Sequence, residues 1–118
     1  MPSQIDRVLY VQRVLVLYRL MPGTTGRIRR ADRQLAGSLH DRGISIDIVS
    51  AALLLAAARR TFRSGEPLPP ISSLHYIRPL IDEVVAQPTP PDYVIYLCRK
   101  LAPLAPNFAA AATAHQLS

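Results

Sequence analysis

The hydrophobic pattern of the chain is organised around residues 46–63. Ile46-Asp47-Ile48-Val49-Ser50 leads into Ala51-Ala52-Leu53-Leu54-Leu55-Ala56-Ala57-Ala58, and Arg59-Arg60-Thr61-Phe62-Arg63 closes the stretch. Wound as a helix, residues 51–58 are apolar on every side, which calls for neighbours on more than one face. Ser45 is a good N-cap, Gly43 supplies a turn before it, and Asp47 puts a carboxylate in the first turn, where the helix dipole favours it. The apolar run is far shorter than the ~20 residues a bilayer span needs. The pattern predicts a buried central helix in a small all-α domain.

The flanking segments follow the same logic. Residues 3–21 form a largely apolar rod with a narrow polar stripe, because Asp6 and Arg13, and Gln12 and Arg19, each recur at a seven-residue spacing. Ser3 with Asp6 resembles a capping box. Val8–Val11 and Val14–Tyr18 are rich in strand formers, but length and the polar repeat predict helix. Its apolar surface is wider than one partner helix covers, so a contact with a second subunit is expected there.

Pro22-Gly23 ends this element, and Gly23–Arg30 reads as a flexible basic loop. A second helix over 31–42 would turn Leu35, Ala36 and Leu39 inward and Asp32 and Arg33 outward. After the central helix, Ser64-Gly65-Glu66-Pro67-Leu68-Pro69-Pro70 is a rigid, extended linker. Ser72 or Ser73 then caps a fourth helix over 74–87, with Leu74, Ile77, Ile81, Val84 and Val85 buried. Pro79 lies inside it and predicts a kink about one turn from its start. Pro88-Thr89-Pro90-Pro91 separates it from a fifth helix over 92–101 that presents Tyr93, Tyr96 and Leu97. The fold class is therefore all-α, a single-domain bundle of about five helices over residues 1–102. Residues 103–118, rich in Ala and Pro, are too short and too weakly patterned for more than a marginal helix, and predict a frayed tail or one docked on a partner.

A chain of 118 residues supports one core but not two. Its 49% hydrophobic content argues for a folded protein, and its 19% charged residues for a soluble one. The lone cysteine, Cys98, rules out an internal disulfide and suits a reducing cytoplasm. Met1-Pro2-Ser3-Gln4, followed by Asp6 and Arg7, does not have the form of a signal peptide.

Charge changes the picture most. The formal net charge is +6, and every base except Lys100 is an arginine. Residues 1–64 carry eleven Arg against Asp6, Asp32, Asp41 and Asp47, a balance of +7; Arg78, Arg99 and Lys100 against Glu66, Asp82, Glu83 and Asp92 leave the remainder at −1. A basic half joined to a near-neutral half points to a polyanion-binding face. Two groups are candidates, Arg27, Arg29, Arg30 and Arg33 on the loop and the second helix, and Arg59, Arg60 and Arg63 at the end of the third. Antiparallel packing of those two helices across the Gly43–Ser45 turn would bring all seven to one face. Guanidinium groups suit bidentate phosphate contact.

Nothing in the sequence matches a catalytic or cofactor motif, which argues against an enzyme. His40, His75 and His115 have no zinc spacing with Cys98. Asp82 and Glu83 are adjacent, so their carboxylates diverge on a helix. Tyr76, Tyr93 and Tyr96 are able to stack on bases, though packing at the core or its rim is the plainer role. A helix–turn–helix over 35–49 fits poorly: Gly43 follows Ala36 by seven residues, and the would-be recognition helix is apolar from Ala51 onward.

Leu39-(three)-Gly43-Ile44-Ser45-(three)-Val49-(two)-Ala52-Leu53, followed by Ser73-Leu74-His75-Tyr76-Ile77-(three)-Ile81, resembles the helical DnaD-type domain of bacterial and phage replication initiators. The resemblance covers about residues 35–84. The tryptophan usual after the Tyr-Ile helix is missing, and Pro79 interrupts that helix. The resemblance implies DNA binding and contact with replication partners, without catalysis. The sequence thus predicts a non-enzymatic nucleic-acid-binding accessory protein, with DNA favoured. The alternative is an interaction or dimerisation module built on the first helix and the C-terminal helices.

Overall fold

A computed structural model describes the backbone of residues 4–117 and the side chains of residues 6–114. The described residues form six α-helices, α1 Gln4–Leu20, α2 Arg30–Asp41, α3 Ile46–Thr61, α4 Arg78–Ala86, α5 Pro91–Leu101 and α6 Pro106–Leu117, with a 3₁₀ turn at Leu74–Ile77. The predicted Ser3 cap of α1 and the side chain of His115 lie outside the described residues.

The Ser45 hydroxyl caps α3 by accepting the Ile48 N–H at 3.3 Å, and every residue from Val49 to Ala58 is buried. The alanines let neighbours approach closely, and α3 packs against α1, α4, α5, α6 and the 3₁₀ turn. Leu53 and Leu54 are fully buried, with Leu17, Leu74, Ile81 and Leu101 in the same core.

Glycine at 43 is required by the turn between α2 and α3. Gly43 has φ +76; its N–H donates to the His40 carbonyl at 2.9 Å, and the Ile44 N–H reaches back to Leu39 at 3.0 Å. These are the paired bonds of a Schellman motif, which needs a left-handed residue after the helix. Rather than lying along α3, α2 has α1 and the 3₁₀ turn as its main neighbours. Arg7 of α1 pairs with Asp41 through two hydrogen bonds of 3.0 and 3.2 Å, and the Tyr10 ring meets His40 edge-on at 5.1 Å. The Arg7 guanidinium lies over Gly37, where a Cβ would displace the tip of that flexible side chain.

Several expectations need correction, among them the burial of Val85, which stands 44% exposed on α4. The fourth helix does not run from 74 to 87 with a kink at Pro79. It opens as the 3₁₀ turn, capped by Ser73, and becomes α-helical at Arg78, which leaves Pro79 in the first turn of α4. Proline fits there because first-turn N–H groups have no partner within the helix. Residues 106–117 are also more than a marginal tail. Pro106 opens a sixth helix whose Phe108, Ala109 and Ala112 are buried and which packs against α1, α3 and α5. Phe108, fully buried in the shared core, supplies what the alanine-rich sequence lacks.

Candidate nucleic-acid interface

The two arginine groups have different surroundings. At the end of α3, each guanidinium is already engaged. Arg59 forms a fork with the Glu83 carboxylate, its Nη1 at 3.0 Å from Oε2 and its Nη2 at 2.6 Å from Oε1. This fork pulls the Glu83 carboxyl below its ordinary range. Arg60 donates to the carbonyl oxygens of Leu68, at 3.1 Å, and Pro69. Arg63 donates to the Glu66 carbonyl at 2.6 Å. Cations are favoured at a helix C-terminus, and here they also fold the proline-rich linker back over the end of α3. Their position therefore has a structural explanation.

Arg27, Arg29, Arg30 and Arg33 have no such explanation. All four are exposed, and among the described residues their side chains make no hydrogen bond or ion pair. Three of them lie in or beside the first turn of α2, the positive end of the helix dipole, where cations are disfavoured. The nearby carboxyl does not neutralise them. Asp32, expected to face outward, is fully buried. Its Oδ2 accepts the Arg29 N–H at 2.8 Å, and its Oδ1 accepts the Leu74 N–H at 2.9 Å and the Ser73 hydroxyl at 3.4 Å. Asp32 thus ties the start of α2 to the 3₁₀ turn and leaves the outer surface of 27–33 uniformly basic.

Both groups border one strap, residues 62–73. The Thr25 N–H donates to the Ile71 carbonyl at 2.9 Å, and the Ile71 N–H donates to Gly23 at 2.7 Å. Gly23, with φ +92, lies so close to Arg60 that a Cβ there would sit 2.7 Å from its Nε. The loop carrying Arg27 and the end of α3 therefore meet at the strap, although α2 does not pack along α3. This proximity arises from the linker, a connection the helix pattern does not reveal.

Other chemistry is sparse. Among the described residues no three of His, Cys, Asp and Glu gather as metal ligands, and no helix is long and apolar enough to cross a membrane. A groove of about 650 Å³ between α5 and α6 is lined by Ile95, Cys98, Ala102, Ala109 and Ala110, with no convergent acid–base pair. Elsewhere on α5, Tyr93 and Tyr96 are exposed and stacked at 5.9 Å, a pairing visible in the sequence only as an i, i+3 spacing. The chain matches no known family model, no curated protein and no solved structure.

Proposed function

We propose that this chain is a non-enzymatic nucleic-acid-binding protein, organised around α3, that holds the phosphate backbone with Arg27, Arg29, Arg30 and Arg33. The observation that carries this reading is the unpartnered state of those four guanidiniums above an inward-turned Asp32. Four cations in seven residues repel one another and oppose the helix dipole, so they cost stability unless an anion joins them. Phosphates on a polymer meet that need repeatedly. Arg59, Arg60 and Arg63 have a secondary role, since each would give up an internal bond to reach a phosphate. DNA is the favoured partner and replication or a mobile element the favoured setting, both following from the DnaD-type resemblance. A cytoplasmic location suits the buried, unpaired Cys98.

One gel-shift series tests the reading, with single-stranded DNA, duplex DNA and RNA at two salt concentrations. The wild type should shift at least one of them at low salt. The variant Arg27→Gln/Arg29→Gln/Arg30→Gln/Arg33→Gln should not, while keeping its circular dichroism spectrum. A wild type that shifts none defeats the reading. The rival reading, an interaction or dimerisation module, draws on Val8, Leu9 and Val16, which stand 52%, 45% and 43% exposed on α1. A concentration-dependent sedimentation coefficient abolished by Leu9→Glu and Val16→Glu would favour it.

A further inference from the structure

We propose that Tyr93 and Tyr96 form a stacking platform for unpaired bases, so that the nucleic acid this protein takes is single-stranded. The inference deepens the nucleic-acid reading above and rests on it.

The distribution of aromatic side chains is the starting point. Of the seven in the chain, Phe62, Tyr76, Tyr93 and Tyr96 are exposed, while the core uses Tyr18 and Phe108. Three of the exposed four gather at one place. Tyr93 and Tyr96 stand 45% and 52% exposed on α5, their rings 5.9 Å apart and inclined by 25°. The Lys100 ammonium, one turn further on, lies 4.4 Å from the Phe62 ring centroid and 5.8 Å from that of Tyr96. Phe62 immediately follows α3. Two tyrosines, a lysine and a phenylalanine therefore form a ladder from the start of α5 to the end of α3.

Exposed aromatic faces beside cations match one polymer in particular. Every base presents a π-face, and a positively charged track beside aromatic rings follows the backbone of an unpaired strand without reading its sequence. Duplex nucleic acid hides those faces in its own stack, so the rings would have nothing to bind. Cations outnumber free carboxylates around the rings: Arg99 is exposed and without a partner among the described residues, Lys100 is held in place by the two rings, Glu83 beside Tyr93 is paired with Arg59, and Asp92 borders Tyr96 and Arg99. Position supports it too. Phe62 lies under Lys100, and Arg60, two residues before it, touches Gly23 at the start of the loop that carries Arg27. A strand stacked on α5 and crossing the end of α3 is led toward that loop.

Fluorescence anisotropy provides the test, with a labelled oligothymidylate of about 20 nucleotides and a duplex of the same length. The wild type should bind the single strand more tightly than the duplex. Tyr93→Leu/Tyr96→Leu, which keeps apolar area but removes the π-faces, should weaken single-strand binding on the order of 10- to 100-fold. Its duplex affinity should be unchanged, and Tyr93→Phe/Tyr96→Phe should restore single-strand binding. Unchanged single-strand affinity in the leucine variant, or a wild type that prefers duplex, overturns the ladder. If duplex binding then still depends on Arg27 to Arg33, the nucleic-acid reading stands without it. A wild type that binds neither probe overturns both. Loss of binding to a proline-rich peptide in the leucine variant, with nucleic-acid affinity intact, would assign the rings to a peptide instead and likewise overturns the proposal.

Discussion

The carboxyl of Asp32 and the backbone N–H of Leu74 meet at 2.9 Å across 42 positions of sequence. Asp32 also holds the N–H of Arg29, the N-cap residue just before α2, so one buried side chain satisfies backbone donors from two parts of the chain. Asp32→Ala would leave the Leu74 N–H without a partner in the interior, at about 1–3 kcal/mol, and the half-buried Arg29 N–H at less. Chemical denaturation should show a loss of about 2–4 kcal/mol. Asp32→Asn keeps one acceptor oxygen and should fall between that variant and the wild type. A neutral Asp32→Ala would mean that the tie contributes nothing.

Leu54 and Leu55 separate the middle of the core from its edge. Leu54 is fully buried, whereas Leu55 borders a surface recess with Arg59, Glu83 and Tyr93. Leu54→Ala should destabilise by about 2–5 kcal/mol, with Leu55→Ala at or below the lower end of that range. Equal urea midpoints for the two variants would contradict this packing.

Pro79→Ala should neither straighten α4 nor cost much, because the proline sits in the first turn, where no helical bond is missing. The expected change is under about 1 kcal/mol. A large stabilisation would restore the kinked helix predicted from sequence.

Two exposed ion pairs make a modest contribution to the acid limb of the stability curve. The Arg59 fork lowers the Glu83 carboxyl from its ordinary 4.5, and Arg7, with help from His40, lowers Asp41 from 3.8. Carboxyls depressed on folding add stability that is present above their unfolded values and lost as the pH falls through their folded ones. The melting temperature should therefore decline below about pH 4.5. Glu83→Gln/Asp41→Asn should flatten that limb. An equally steep decline in the double variant would place the acid sensitivity elsewhere.

The alkaline limb has a different origin. Burial pushes the Tyr10 phenol from 10 to about 12, and its hydroxyl donates to the Ile44 carbonyl at 2.7 Å. Tyr18 is raised as well, first by burial and then by Asp32. A phenol raised on folding contributes stability fully present below about pH 10 and lost as the pH climbs toward the folded value. Tyr10→Phe should cost about 1 kcal/mol at neutral pH and lose less than the wild type between about pH 10 and 12. Parallel curves for the two proteins would contradict the assignment.

The all-helical character was legible because local signals agree with it: the Ser45 cap, the Gly43 terminator and the apolar run at 51–58 all act within a few residues. What escaped depends on contacts between distant residues. Asp32 looks solvent-facing among arginines, and only Leu74 turns it inward. Arg59, Arg60 and Arg63 look free until Glu83 and the carbonyls of the strap are placed beside them. In segment 106–117 Phe108 is the large buried side chain among the described residues, and its worth depends on the neighbours it meets. Pro79 can kink a helix interior or open a helix, and the residue alone does not say which.

The proposed phosphate contacts fall mainly on Arg27, Arg29, Arg30 and Arg33 and only secondarily on Arg59, Arg60 and Arg63, and the salt dependence of binding measures that difference directly. Four contacts predict a log–log slope near −3.6 on duplex DNA or −2.8 on a single strand. Each single Arg→Ala at 27, 29, 30 or 33 should bring the slope about one unit closer to zero, and Arg59→Ala or Arg63→Ala should leave it unchanged. A slope that ignores the first four substitutions and responds to those at 59 and 63 would contradict the account.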